Sequence, residues 1–308
     1  MLSYVVKRLL QGGFVLFLVS LLTFVVMFLM PGDPARRMVG QARVTDEQLE
    51  AIRERWNLND SFAERYWAWI SNLVTGDLGT SMMRPGVTIS QMIGDAAGMT
   101  LRLTVLSFVF SLCLAIPIGM LAAMKRYSLF DYISMLGSTL GIAVPNYWIG
   151  LMLIIVFSVN LGWVPPYGSA SWQAYILPVL VLSIEEMAAL ARLTRGATIE
   201  VMNQDYVVTA RAKGLARNVI MVRHVVRNAL LPIITILGYR MAFILSGTIV
   251  IETVFAWPGI GRLFFDAIVQ KDLQVVQAIV LLLTGIIVVV NIVTDLTYAV
   301  IDPRVRIR

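Results

Sequence analysis

The chain has 308 residues, 58% of them hydrophobic and 14% charged, with a mean hydropathy of +0.78 and a net charge of +6. A soluble domain carries about 25% charged residues, so this composition excludes an ordinary soluble enzyme or binding module and indicates a membrane protein. A single cysteine, Cys113, and a single histidine, His224, exclude an intrachain disulfide, a thiol pair, a zinc cluster and any multi-histidine metal site.

Six apolar segments predict membrane helices: residues 9–30, 99–123, 132–159, 174–191, 231–251 and 276–300. Each reaches or approaches the ~20 residues that a helix needs to cross hydrocarbon. The first is too long, and its flanks too unlike a cleavage site, for a removed signal peptide, so it is expected to stay as an anchor. Residues 31–98 then form a sizeable polar segment. Thr45 with Gln48 predicts a capping box. Leu49, Ile52 and Trp56, followed by Tyr66, Trp67, Trp69 and Ile70, predict two short helices separated by Asn57-Leu58-Asn59-Asp60, the second ended by Gly76-Asp77-Leu78-Gly79. The aromatic residues are expected to serve packing or an interfacial belt rather than a ligand platform.

Pro145 and Pro178 interrupt the third and fourth segments. Glu185 and Glu186 stand out in the fourth, because a carboxylate at a helix centre costs about 2.5–3.5 kcal/mol even on the lenient insertion scale. Adjacent helix positions differ by about 100° and cannot share a face. Pairing with Arg192 would relieve one; the other is expected to face the bundle interior or a water-filled translocation path. Arg102, Arg240 and Asp295 also fall in or near spans, so a buried pair among these charges is expected, with the partners left open.

Between the fourth and fifth segments lies a basic island with seven Lys/Arg from Arg192 to Arg227. Residues 207–213 can form a helix, Gly214 then supplies a turn at φ > 0, and Val219, Val222, Val226 and Leu230 recur at helical spacing. Arg217, Arg223, His224, Arg227 and Asn228 occupy the opposite arc, which makes an amphipathic helix. Anionic lipid would attract such a loop by about 1 kcal/mol per basic residue, but lipid has no use for a rigid turn, so the shape favours a protein socket.

Lys and Arg also set the orientation. With the N-terminus inside, fourteen fall on the cytoplasmic side: Lys7, Arg8, Lys125, Arg126, the seven of the island, Arg304, Arg306 and Arg308. Only Arg262 and Lys271 fall in the short external connections, a positive-inside pattern with both termini cytoplasmic. The basic residues are split among loops, which argues against nucleic acid as a partner.

The island Thr209-Ala210-Arg211-Ala212-Lys213-Gly214-Leu215, followed by His224, Asn228 and Leu231-Pro232, resembles the cytoplasmic "EAA" loop of binding-protein-dependent ABC importer permeases, in particular the peptide/nickel branch. Val208-Thr209-Ala210 stands where the general pattern has Glu-Ala-Ala, and the proline comes later; both departures are typical of that branch. The similarity continues in Pro31-Gly32-Asp33-Pro34, Gly76-Asp77-Leu78-Gly79, Arg192-Leu193-Thr194-Arg195, Glu252-Thr253-Val254-Phe255, Trp257-Pro258-Gly259-Ile260-Gly261 and the ending Ala299 to Arg306. It is greatest for the first permease subunit of dipeptide, oligopeptide or glutathione importers.

The resemblance implies an all-α membrane protein with the six transmembrane helices of the type I ABC importer permease fold and an external helical segment after the first helix. It divides the chain into residues 1–94 (first helix and external segment), 95–298 (permease core with coupling loop 192–230) and 299–308 (cytoplasmic tail). It further implies a homologous second permease, two cytoplasmic ATPases, an external solute-binding protein and a peptide substrate in the inner membrane of a bacterium. Thr209 to Leu215 would then couple to the ATPases, and Glu185 and Glu186 are the candidates for the path. No cofactor is expected in this chain and ATP and Mg are left to the partners; consistently, the dipeptide Gly-Lys of a phosphate-cradling P-loop never occurs. A proton-coupled carrier would explain the two glutamates but commonly shows inverted repeats, none of which is evident. An intramembrane hydrolase built on Ser246 fails because the sole histidine lies in the basic loop.

Overall fold

Inside a bilayer every backbone N–H and C=O must be paired within the protein, which for this composition means helices. A computed structural model describes residues 2–40 and 44–301. Among the described residues there are thirteen α-helices and no strand, only an isolated bridge between Thr80 and Thr88. Arg304, Arg306 and Arg308 lie outside the described residues, as do the side chains of Ser246 and Asp295. The described residues gather into two compact units, one within 1–97 and 263–292, the other within 98–262 and 293–301.

In the first unit, α1 (Leu2–Phe28) is followed by α2 (Pro34–Val39), α3 (Asp46–Arg55), α4 (Phe62–Val74) and the opening turns of α5 (Ile89–Met124). The predicted capping box is present, with Gln48 N–H donating to Thr45 Oγ1 (3.3 Å) and Thr45 N–H to Gln48 Oε1 (3.0 Å). A second box, Ser61 with Glu64, starts α4. The two-helix expectation omits α2, which begins at Pro34, where a fixed φ suits the first helical position. Asp33 caps it by accepting from Ala35 N–H (3.0 Å), and the same carboxylate accepts from the Arg53 guanidinium (2.6 Å), which joins α2 to α3. That guanidinium holds the Asp33 carboxyl below its ordinary pKa.

The aromatic residues pack α4 onto α1. Phe24 meets Phe62, Tyr66 and Trp69 at ring-centroid distances of 5.2, 5.3 and 5.7 Å, and Ser20 Oγ lies 2.8 Å from Tyr66 Oη. The first two ring contacts are edge-to-face pairs, which contribute about 0.5–1.5 kcal/mol beyond area burial. The unit is completed by most of α12 (Ile260–Gln270) and α13 (Leu273–Ile301). Between them the buried Asp272 carboxylate accepts the Ser81 hydroxyl and the Met82 N–H (3.3 Å), pinning the segment after α4 to this turn.

The second unit continues with α5 and adds α6 (Leu129–Ala143), α7 (Asn146–Leu153), α8 (Ile176–Met202), α9 (Asp205–Ala212), α10 (Arg217–Val219) and α11 (Arg227–Val254). Helix α8 is its hub, packing against α6, α7 and α11. Over their most apolar windows 56% of α8 is buried against 17% of α1, so α8 is a core helix whereas α1 offers Leu10, Phe14 and Leu22 outward, as a lipid-facing helix does.

Among the described residues four helices are long and apolar enough to cross a membrane, Val6–Phe28, Ile89–Met124, Trp172–Met202 and Leu273–Val293, with a fifth span if one bent pair is counted as a single crossing. The predicted fifth segment, 231–251, lies within α11. The predicted span 132–159 is not one straight helix: α6 and the helical stretch Asn146–Asn160 meet at 103°. Pro145 is the cause, since it disfavours the α conformation at the residue before it, and Val144 is extended at φ −90° and ψ 128°. Pro178, by contrast, interrupts nothing. It occupies the first turn of α8, after a 3₁₀ turn at Trp172–Tyr175, where its missing N–H has no intrahelical partner to lose.

Candidate functional site

The basic island folds as helix, glycine turn and helix. Helix α9 closes with Gly214 N–H bonded to Arg211 C=O (3.0 Å) and Leu215 N–H to Ala210 C=O (3.3 Å), the paired bonds of a Schellman ending. Gly214 is at φ +75°, and no atom lies within 4 Å of where its Cβ would stand. The glycine is therefore required by backbone conformation alone and not by crowding.

Val207 and Ala210, one turn apart, face inward onto Ile220, Met221 and Val225, with Met124, Val201 and Met202 around them. Ala210 thus supports the loop from beneath, while Thr209, Arg211, Ala212, Lys213, Gly214 and Leu215 are exposed. The predicted apolar stripe is displaced. Val222, expected to face inward, is 71% exposed, and Ile220, Met221 and Val225 take its place. The reason is a π-helical stretch at Ile220–Val226, whose i to i+5 bonding widens the turn and re-aims the side chains. Asn228 Nδ2 donates to Tyr206 Oη (3.0 Å) and to His224 C=O (2.8 Å), clasping α9 to the helix that follows.

What remains on the outside is unusual for a loop beyond the spans. Tyr206, Val208, Leu215, Val219 and Val222 are exposed large hydrophobics, interleaved with Arg211, Lys213, Arg217 and Arg223. None of these four cations pairs with a carboxylate among the described residues. An exposed apolar patch rimmed by charge marks an interaction site.

The acidic pair splits as its spacing requires. Glu185 points toward α7 and accepts from Asn146 Nδ2 (2.8 Å), the first helical residue after the Pro145 break. Glu186 is 2% exposed and turns to α11, where Arg240 Nη1 lies 3.7 Å from its Oε1. That separation is an ion pair without a hydrogen bond, and neither Glu186 oxygen has another partner. Arg192 does not relieve either glutamate; it donates to Ser138 C=O (3.3 Å). Its neighbour Arg195, in the motif Arg192 to Arg195, instead grips Asp131 of α6 with two bonds of 2.6 and 2.7 Å.

A third constellation surrounds Glu252, which is fully buried near the end of α11. It accepts from Thr100 Oγ1 (2.6 Å), Gly261 N–H (2.7 Å) and Arg262 N–H (3.2 Å), while Thr100 Oγ1 accepts from Ile260 N–H (2.8 Å). The two backbone donors belong to the first turn of α12, so Glu252 caps that helix. A Cβ on Gly259 would run into the Glu252 carboxyl and one on Gly261 into the Ile249 backbone. Trp257, buried beside them, donates to Met99 C=O (3.2 Å) and meets Tyr175 edge-on at 4.5 Å. Neither this knot nor the Asp131–Arg195 pair follows from residue spacing; both join positions far apart in the chain. No group of three or more His, Cys, Asp or Glu suited to a metal occurs among the described residues.

Residues 115–307 match the family described as the binding-protein-dependent transport system inner membrane component, and residues 1–90 match the N-terminal membrane component of such systems. The oligopeptide transport system permease protein AppB of Bacillus subtilis strain 168 is 39% identical over 316 residues, covering 99% of this chain and 100% of that protein. The glutathione transport system permease protein GsiC of Escherichia coli strain K12 is 40% identical over 308 residues, 99% of each. Among solved structures, an inward-facing conformation of the MetNI methionine ABC transporter superposes with a TM-score of 0.59 at 16% identity, over 69% of this chain and 97% of that one. That likeness concerns the fold alone.

Proposed function

Because this chain belongs to the family of binding-protein-dependent transport system inner membrane components, we propose that it is one of two homologous permease subunits of an ABC importer for short peptides. An external binding protein delivers the solute, and two cytoplasmic ATPases supply the work through the loop Thr209 to Leu215. The observation that carries this reading is the Gly214 turn, which presents an apolar and cationic surface, without carboxylate partners among the described residues, on a firmly packed base. Peptides of the dipeptide, oligopeptide or glutathione class are the substrates most in keeping with the full-length relatives. The chain itself hydrolyses nothing and holds no cofactor in this reading.

The orientation goes with it: both termini and the 192–227 island are cytoplasmic, and the segment between α1 and α5 is external. With Cys113 replaced, a cysteine introduced at Asn218 should escape an impermeant thiol reagent in sealed right-side-out vesicles and react once they are opened. Labelling in sealed vesicles would reverse the topology.

Glu185, half-buried and held by Asn146 at the break of a discontinuous helix, lines the translocation path, and Glu186 keeps Arg240 beside it. Broken helices at membrane depth are where transporters assemble binding sites. Uptake of cationic and anionic tripeptides through the native system, at matched membrane levels, tests substrate and path together. Removing the chain should abolish both, and Glu185→Gln should reduce cationic uptake about tenfold with a smaller effect on anionic peptides, the scale of one lost charge-assisted contact. Peptide uptake that survives removal of the chain rules out the import reading, and equal losses for the two peptides rule out Glu185 as a selectivity group.

A further inference from the structure

A cavity of about 390 Å³ lies in the first unit, between the end of α1, the face of α4 and the opening turns of α13. Its size is within the range of small-ligand sites. One wall is apolar and aromatic, with Phe24, Trp56 and Trp69. The lining also carries two amides one turn apart on α13. Gln277 is 4% exposed and lines the cavity. Gln274 Oε1 is buried and has no hydrogen-bond partner among the described residues. The charged lining is Arg65, its guanidinium 5.6 Å from the centre of the Phe28 ring, with Asp60 and Asp77, one basic and two acidic side chains.

Buried amides without partners are costly, and native proteins leave few of them. The bare Gln274 oxygen calls for a ligand donor, and the buried Gln277 amide one turn away in the same lining can take the acceptor of that ligand. A lipid chain would fill the aromatic wall and leave both amides bare. A peptide bond matches them, and the side chain beside that bond would lie against the aromatic wall. We propose that this cavity binds a peptide segment carrying a bulky apolar side chain, its backbone on Gln274 and Gln277 and its side chain against Phe24 and Trp69. On the orientation given above the cavity opens outside, so peptide import is the reading that brings such a ligand to it; the chemistry of the site stands on its own lining. A free peptide and a loop of a docking protein share this chemistry and differ in whether the termini are charged, for which Arg65 and Asp60 supply the partners.

The test is calorimetric titration of the full-length chain in lipid nanodiscs with the tripeptide alanyl-leucyl-alanine and with its N-acetylated, C-amidated form. Saturable binding of at least one is expected. Gln277→Leu keeps the side-chain volume and removes the amide, so it should weaken binding about tenfold while the peptide-free protein melts no lower than the native one. Preference for the free tripeptide assigns the site to free peptide; equal binding of the blocked form assigns it to a protein loop. No binding by the native chain, or undiminished binding in Gln277→Leu, overturns the proposal. Binding lost in Glu185→Gln but retained in Gln277→Leu would belong to the translocation path and overturn it too, leaving peptide import intact.

Discussion

Gly214→Val should cut peptide uptake about five- to thirtyfold while the protein still inserts at close to native levels. A side chain with a Cβ costs about 1–2 kcal/mol in the left-handed conformation, and Gly214 is at φ +75°. Nothing crowds the position, so the strain is not shared with the bundle and overall stability should change little. It is relieved by leaving the turn, which unmakes the Leu215 to Ala210 bond and swings Leu215, Arg217 and Val219 away from Arg211 and Lys213. On the proposed coupling, the docking-competent form is then depopulated, and apparent affinity for the ATPases should fall by the same factor. Gly214→Asn should lie between the two, because Asn tolerates this conformation better than a β-branched residue. The measurements are ATPase recovered with the tagged permease and uptake at matched membrane levels. Native uptake by the Val variant would leave the loop as a lipid-facing connector.

Asp131→Asn should destabilise the second unit by about 3–5 kcal/mol, the usual result of stripping one partner from a buried ion pair. Asp131 is nearly inaccessible and Arg195 largely so, and their contact is bidentate. The same carboxylate accepts from Tyr127 N–H (3.0 Å), where the backbone turns at φ +64° between α5 and α6. Loss of charge therefore loosens both the α6–α8 contact and the turn before it. Arg195→Ala should cost at least as much, since it leaves the more deeply buried carboxylate with the Tyr127 N–H in place of the guanidinium. Thermal unfolding in detergent, followed by helical signal, orders the variants. An Asn variant as stable as the native protein would mean that solvent already screens the pair.

Much of the molecule is legible along the chain because it depends on neighbours in sequence. The Thr45 box, the Gly214 and Gly76 endings and the apolar lengths of α1, α5 and α13 all follow from interactions within a few residues. Charge asymmetry and the motif from Thr209 to Leu215 likewise point to a membrane permease without any coordinates. What only the tertiary structure decides is which groups meet. Arg240, not Arg192, accompanies Glu186; Arg195 finds Asp131 across 64 residues; Glu252 caps α12 with Thr100. Pro145 bends a span by 103° whereas Pro178 merely starts one, and a π-helical stretch turns Val222 outward in favour of Val225. The physical reason is shared. In a helix whose lipid-facing and core-facing sides are both apolar, periodicity marks no inner face, so rotation and partners are set by close packing and by the few polar groups that must find one another.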